Sequence, residues 1–233
     1  MERGVEEHEF SADSIAKKYG ISLDSLRAEQ KKISKAVSLK DSIDFNLADR
    51  IAGCDIIMGG NMLIAVIVIL DKEMKVLEQQ YAIKKAEFPY LPEFRAYREL
   101  PVIMECYSKL QESFDVILFE GQGIAHPRKC GLATHFGVIT QKPSIGVAQK
   151  LLAGTSKNGT IVIEEKIVGI ELITKEGSKP IYVSPGNMIS LQTAADLVKG
   201  LIIKPHKLPE PLVVARKHAN RIRTEFTNEK SEF

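Results

Sequence analysis

The chain is organised around residues 114–128, FDVILFEGQGIAHPR. A short run of β-branched and aromatic residues is stopped by an acid and two glycines, which predicts a buried strand that ends in a tight loop. Such a strand delivers Glu120 to the edge of a sheet, where ligand sites of α/β folds lie. A strand end with a solvated glutamate and an ordinary turn would explain the same residues equally well.

The composition is that of an ordinary globular protein. The 233 residues, 44% hydrophobic and 27% charged, suffice for one large α/β domain. Because the net charge is only +2, nucleic-acid binding would need local basic clusters. Three cysteines without CxxC spacing predict neither a disulfide framework nor a zinc site, and they favour the reducing cytoplasm. The acidic start predicts no signal peptide, and the longest apolar run, residues 62–70, is too short to span a membrane.

Residues 1–45 are predicted to form a helical N-terminal extension. The first ten residues are expected to be loosely held, and a helical pattern covers 11–36 with a break at Gly20. Residues 14–22, SIAKKYGIS, are similar to a helix–turn–helix, so this part is either a DNA-reading unit or an arm that packs on the main domain. No third helix or basic recognition face is visible, which favours the arm.

Residues 46–223 are predicted to form the main domain, and 224–233 a flexible tail. Strands at 51–58, 62–70 and 74–83, joined by tight turns, predict an antiparallel meander. A strand at 115–119, a helix at 130–138 and a strand at 144–147 then predict a parallel extension of the sheet. One or two further strands are expected over 161–174 and another over 181–183. The other expectations are a helix over 93–112 interrupted at Pro101, a loop over 150–159, a turn over 184–187, a helix over 190–203 capped by Ser190, and a basic segment from 204 that contains a rigid LPEP connector.

Three acids are candidates for chemistry: Asp55, Glu99 and Glu120. Asp55 is the only charge in an apolar strand, and a buried carboxylate is costly unless it is paired or binds a metal. A meander followed by a parallel strand brings Asp55 and Glu120 side by side. Carboxylates gathered at one edge repel each other unless a hard cation such as Mg²⁺ lies between them. The pattern indicates a metal-dependent nuclease, although glycosidases also use paired acids.

The chain resembles the endonuclease V family over roughly residues 47–216. The resemblance rests on these motifs, which occur in the family's order: PYLP (89–92), FRAYREL (94–100), GQGIAHPR (121–128), GLA (131–133), IGVA (145–148), VSPG (183–186) and LPEP (208–211). It implies an α/β, ribonuclease H-like fold with a mixed central sheet flanked by helices. It also implies a DNA-repair endonuclease that recognises deoxyinosine, uses Mg²⁺ or Mn²⁺, and hydrolyses the second phosphodiester bond 3′ to the lesion, leaving 5′-phosphate ends. We expect a cytoplasmic monomer.

The resemblance also implies roles for individual residues. Asp55, Glu99 and Glu120 would bind the metal, and His126 would lie near the scissile phosphate or the metal. Tyr90 would belong to a wedge that fills the gap left by the displaced base. Gly121, Gln122, Gly123 and Ile124 would form the wall of the base pocket, and Arg98 and Arg128 would contact phosphate. Lys150 is a further substrate-binding candidate.

The sequence departs from the family at several positions of this site. Glu120 stands where the family usually has Asp, and Gln149 where it usually has Lys, with Lys150 one position later. Arg216 stands where the family has a His or Asp that supports the metal site, and residues 56–58 are apolar. Two alternatives therefore remain: a nucleic-acid-binding relative with weak or lost catalysis, and an endoribonuclease specific for inosine in RNA.

Overall fold

The computed structural model describes residues 11–229 of the chain. Within that range one sheet contains nine strands: β1 (Ile51–Gly59), β2 (Met62–Leu70), β3 (Val76–Lys85), β4 (Val116–Glu120), β5 (Ser144–Ala148), β6 (Thr155–Lys157), β7 (Thr160–Ile163), β8 (Lys166–Leu172) and β9 (Ile181–Asn187). The α-helices are α1 (Ala12–Lys18), α2 (Leu23–Lys35), α3 (Arg95–Tyr107), α4 (Leu132–Thr140), α5 (Leu191–Gly200) and α6 (Glu210–Glu229). The strand order is β3-β2-β1-β4-β5-β9-β8-β7-β6. The expected loose residues 1–10, and 230–233 of the expected tail, lie outside the described residues.

The predicted antiparallel meander forms one side of the sheet. β1 and β2 pair antiparallel through a two-residue turn at Gly60 and Asn61, and β3 pairs with β2 in the same sense. Gly60 has a φ of +64°, the left-handed conformation that such a tight turn requires. β2 is apolar throughout because α3 covers one of its faces and α6 covers the other.

The predicted parallel extension brings the ends of two strands together. β4 pairs parallel with both β1 and β5, and Cys54 lies opposite Phe119. The following residue of each strand, Asp55 in β1 and Glu120 in β4, therefore lies at the same edge of the sheet. Beyond β5 the sheet continues antiparallel through β9, β8, β7 and β6.

Two local predictions in the C-terminal half were wrong. Residues 184–187, predicted as a turn, belong to β9, and the predicted loop over 150–159 contains β6. Pro185 lies opposite Ile145, where the register between β9 and β5 shifts. At such an irregularity the ladder of hydrogen bonds is interrupted, so the N–H that proline lacks is not required there. The predicted cap was confirmed, since the Ser190 side chain accepts a hydrogen bond from the Thr193 N–H at the start of α5.

The basic segment after residue 204 contains a long helix that the sequence reading did not predict. α6 begins at Glu210 and runs through 224–229, which were expected to belong to a flexible tail. Pro211 lies in its first turn, where a helix has no intrahelical acceptor for the N–H that proline lacks. The LPEP motif is therefore not only a connector, because its last two residues begin the helix.

The N-terminal helices form an arm packed on the main domain. α1 and α2 are separated at Gly20, as predicted, and Ala16 and Leu23 are buried against Leu91 and Phe94. This packing corresponds to the arm rather than the DNA-reading unit. The segment they cover leads directly into α3.

The predicted interruption of α3 at Pro101 was wrong. The helix is continuous from Arg95 to Tyr107, after a 3₁₀ turn over Pro92–Phe94. Proline removes one intrahelical hydrogen bond, but Val102, Ile103 and Cys106 on the following turn are buried in the core. Their burial holds the helix together across the proline.

Candidate active site

An open cleft of about 590 Å³ lies at the edge of the sheet where β4 and β5 end. We call it the carboxylate cleft. Its lining is Tyr90, Pro92, Arg95, Glu99, Glu120, Gly121, Gln122, Ala148, Gln149, Lys150, Leu151 and Leu152. Six residues predicted to belong to the site from the sequence therefore line one cavity: Tyr90, Glu99, Glu120, Gly121, Gln122 and Lys150.

Glu99 reaches the cleft from the first turns of α3 and is almost fully buried. The Arg95 Nε donates to Glu99 Oε1 at 2.6 Å, and the Arg95 guanidinium lies 3.3 Å from Glu120 Oε2. Glu99 Oε2 is buried without a hydrogen-bond partner among the described residues. An unpartnered buried carboxylate oxygen is costly, so this atom is a candidate ligand for a cation.

Arg95 is a residue of this site that the sequence reading missed. Its spacing of four residues from Glu99 was the available signal, because helical residues at that spacing meet on one face. The predicted site residue on this helix was Arg98, whose guanidinium donates to the Phe88 carbonyl and contacts Met58. Arg98 is not among the residues that line the carboxylate cleft.

Asp55 is buried beside the cleft and is held by Arg216 of α6. The Arg216 Nη2 donates to Asp55 Oδ1 at 2.8 Å, and the Arg216 Nε donates to Oδ2. The Asp55 side chain is 1% exposed and that of Arg216 is 41% exposed, so the guanidinium covers the carboxylate. Arg216 was recognised in the sequence as a departure from the family's pattern, but its bidentate salt bridge with Asp55 was not predicted.

The electrostatics of the site combine burial with paired charges. Burial raises the pKa of the Asp55 carboxyl, and Arg216 opposes that shift. Burial likewise raises the pKa of Glu99, against the effect of Arg95. Three carboxylates thus face two guanidinium groups, which leaves one formal negative charge uncompensated.

The loop after β4 is shaped by close backbone packing. Gly121 has a φ of +153°, and the Gly123 N–H donates to Ser184 Oγ at 2.9 Å. A side chain at Gly123 would collide with the backbone of Pro185 in β9. Gly121 and Gln122 face the cleft as predicted for a pocket wall, whereas Ile124 is buried in a cluster with β7 and β8.

His126, which the resemblance placed near the phosphate or the metal, is hydrogen-bonded to the protein backbone. It is 2% exposed and does not line the cleft. Its Nε2 donates to the Glu93 carbonyl at 2.9 Å, and its Nδ1 accepts from the Arg128 backbone N–H at 3.2 Å. These bonds fix a neutral ring, and burial lowers the pKa of His126 to about 4.

Arg128 is also engaged within the protein rather than directed at the cleft. Its Nη2 lies 2.7 Å from Glu93 Oε2, and its Nε donates to Gln30 Oε1 at 2.5 Å. The predicted phosphate contact from Arg128 would have to compete with these partners. The fully buried Gln30 also donates to the Glu93 carbonyl at 2.8 Å. The N-terminal arm is therefore hydrogen-bonded to the 3₁₀ turn that follows Tyr90.

The rim of the cleft carries an exposed aromatic ring and a cation. Tyr90 is 61% exposed, on a segment whose backbone is stiffened by Pro89 and Pro92. Lys150 is exposed, and its carbonyl accepts from the Gln122 side chain at 3.0 Å. Gln149 lies 3.5 Å from Glu120 Oε1, so Gln149 and Lys150 both reach this cavity.

The donor set fits a hard divalent cation only in part. Residues 11–229 contain no group of three His, Cys, Asp or Glu side chains arranged to hold a metal ion. Glu99 and Glu120 nevertheless offer oxygen donors of the kind that Mg²⁺ prefers, including the unpartnered Glu99 Oε2. Both oxygens of Asp55 already accept from Arg216, so Asp55 offers none freely.

Comparisons with known proteins agree on one family. The family model described as Endonuclease V matches residues 31–217. Endonuclease V of Thermosipho melanesiensis is 38% identical over 209 residues, which cover 86% of this chain and 91% of the relative. The crystal structure of the Bacillus subtilis endonuclease V has a TM-score of 0.82 at 28% identity, covering 89% of this chain and 94% of that one.

A second solved structure supports the fold alone. Endonuclease V of Ciona intestinalis, in complex with a 24mer DNA containing an inosine followed by a ribo-adenosine, has a TM-score of 0.80 at 23% identity. It covers 88% of this chain and 98% of the Ciona chain. The nine-stranded mixed sheet flanked by helices is thus the predicted ribonuclease H-like fold.

These findings define the chain first as a nuclease of ribonuclease H-like fold. The chain belongs to the endonuclease V family, as its motifs indicated. No helix within residues 11–229 is long and apolar enough to cross a membrane.

Proposed function

We propose that this protein is a divalent-metal-dependent endonuclease that recognises deoxyinosine in DNA and hydrolyses the second phosphodiester bond 3′ to the lesion. The observation that carries the proposal is the unpartnered, buried Glu99 Oε2 in a cleft shared with Glu120 and rimmed by Tyr90. The motif resemblance and the inosine-containing DNA bound to the Ciona relative support the choice of substrate.

Mg²⁺ or Mn²⁺ held by Glu99 and Glu120 would activate water and stabilise the leaving oxygen. The residues of the chain would do the remaining work. Tyr90 would stack in the gap left by the displaced base, since an inserted ring compensates for lost stacking. The Gly121 and Gln122 backbone would contact that base, and Lys150 would neutralise a phosphate. Arg95 holds Glu99 in place through the 2.6 Å hydrogen bond.

A nicking assay with matched variants tests the proposal. The protein is incubated with Mg²⁺ or Mn²⁺ and with inosine-containing DNA, inosine-containing RNA, or unmodified strands. We expect a nick in inosine DNA at the second bond, and its loss in Glu99→Gln, which keeps the shape but removes the charge. Glu105→Gln, on the exposed side of the same helix, is the control. Nicking that survives in Glu99→Gln would refute the site.

The two alternatives are separate outcomes of the same assay. Cleavage confined to inosine RNA would identify an endoribonuclease. Binding to inosine DNA without any nicking would identify a binding relative, the alternative favoured by the engagement of Asp55 with Arg216.

Two further expectations belong to this proposal. We propose a cytoplasmic protein, because its three cysteines are buried free thiols, as a reducing compartment would keep them. We also propose a monomer, which light scattering after size-exclusion chromatography would test.

A further inference from the structure

Arg216 occupies the position at Asp55 that a second metal ion would need. Its guanidinium donates to both oxygens of Asp55, and within residues 11–229 the buried carboxylate has no other side-chain hydrogen-bond partner. A guanidinium stays protonated and cannot ligate a metal. A divalent ion at Asp55 would therefore have to displace Arg216 or lie against its charge.

The anchoring of α6 makes that displacement unfavourable. Ala215 and Ala219, on either side of Arg216 along the helix, are fully buried against β2. Gly53, two residues before Asp55, has no side chain where the backbone of Pro211 crosses β1. The helix backbone is thus fixed in close contact with the strand, and the guanidinium is held over the carboxylate.

Glu99 and Glu120 each keep one carboxylate oxygen that Arg95 does not contact. Among residues 11–229, Glu99 Oε2 has no hydrogen-bond partner, and Glu120 Oε1 has only the long 3.5 Å contact with Gln149. One divalent ion changes the net formal charge of the five groups from −1 to +1, and a net charge of +1 complements one phosphodiester. Two ions would raise the formal charge to three positive, far from that complement.

We propose that Arg216 is a built-in cation that takes the place of a metal ion at Asp55, so that the cleft binds one divalent cation, held by Glu99 and Glu120. The inference rests on the proposed metal dependence but not on cleavage. In this arrangement Asp55 is a positioning residue for Arg216 and is not a metal ligand.

Counting bound Mn²⁺ tests the inference without any substrate. Metal-free protein is titrated with Mn²⁺, and the electron paramagnetic resonance signal of free Mn²⁺ gives the number of ions bound per chain. We expect one ion for the wild type, none for Glu99→Gln, and still one for Asp55→Asn, whose amide oxygen can still accept from Arg216. In Arg216→Asn, which frees Asp55, we expect a second ion.

The matched control is Arg221→Gln, an exposed arginine on the same helix, which should leave one ion. Two ions on the wild type, no ion on the wild type, or loss of the ion in Asp55→Asn would each overturn the inference. Should Arg216→Asn not fold, the Asp55→Asn result still decides. One bound ion without nicking of inosine DNA would instead refute the proposed function, whereas two ions with nicking would refute only the inference.

Discussion

At the scale of single residues, the sequence predicted the acids of the site better than their partners. Asp55 and Glu120 could be placed together because a charge in an apolar strand and an acid at a strand end are visible in the sequence. Arg216 could not be placed, because its role depends on which face of α6 meets the sheet, whereas Arg95 was marked only by its spacing of four residues from Glu99. The same limit explains His126, whose partner, the Glu93 carbonyl, is a backbone atom that no sequence pattern marks.

Arg95 is expected to stabilise the fold as well as the site. Burial lowers its pKa, but Glu99 and Glu120 outweigh that effect, and the net shift is upward. In Arg95→Gln, buried Glu99 loses its charged partner, and the free energy of unfolding at pH 7 should fall by about 3 kcal/mol. Urea denaturation measures this. Arg27→Gln, which breaks an exposed pair on α2, should change stability by less than about 1 kcal/mol.

His126 is expected to make stability depend on pH. Burial lowers its pKa from 6.5 to about 4, so the unfolded chain binds a proton in this window and the folded chain does not. The contribution of His126 to the free energy of unfolding, up to about 3 kcal/mol, is complete above pH 6.5 and is lost as the pH falls towards 4. His135, whose pKa burial also lowers, acts in the same direction.

The variant His126→Gln separates the two histidines. The glutamine amide can still donate to the Glu93 carbonyl but does not titrate. Urea midpoints at pH 7 and pH 5 should differ less in His126→Gln than in the wild type. An equal difference in both proteins would show that His126 does not titrate between folded and unfolded states in this range.

At the scale of elements, the meander and the parallel strands were predictable and two later elements were not. β2 was predictable because a strand exposed on one face alternates apolar and polar residues, whereas β2 has nine apolar residues in a row. Residues 181–183 of β9 were predicted as a strand, but 184–187 were predicted as a turn because proline and glycine usually end strands. The register shift at Pro185 depends on the partner strand β5. α6 was missed because two prolines and many charges hide its buried stripe of Leu212, Ala215, Ala219 and Ile222.

The N-terminal arm is expected to support the loop behind the cleft. In Gln30→Leu, the Glu93 carbonyl and Arg128 lose their fully buried partner, which should lower the free energy of unfolding by about 1–3 kcal/mol. Limited proteolysis should then cut the arm faster. Lys32→Leu, at an exposed position of α2, is the control. Equal cleavage rates in the two variants would contradict the role of Gln30.

At the scale of the whole molecule, the net charge of +2 gives no broad positive field, so nucleic acid must be attracted by local groups. α6 carries exposed cations of this kind at Lys217, Arg221 and Arg223, and the first two lie one turn apart. Affinity for inosine DNA should fall as salt rises, with a slope of about −0.9 per phosphate contact in a double-logarithmic plot.

Fluorescence anisotropy at several salt concentrations measures that slope. The double variant Lys217→Gln and Arg221→Gln should make it shallower by up to about two contacts. The matching exposed pair Lys31→Gln and Lys32→Gln on α2 should leave the slope nearer that of the wild type. An unchanged slope in the α6 variant would place the phosphate contacts elsewhere.

Because α6 crosses β1 at Gly53, the number of residues between Pro211 and Arg216 is constrained. Five helical residues from Pro211 to Arg216 rise roughly 7.5 Å, and two strand residues from Gly53 to Asp55 rise roughly 6.6 Å. The two distances agree, so the packing of Pro211 on Gly53 places Arg216 at the level of Asp55. Inserting a single residue between 211 and 216 would turn the arginine by about 100° around the helix axis. The number of residues in that short segment is therefore as much a requirement of the active site as the identity of its side chains.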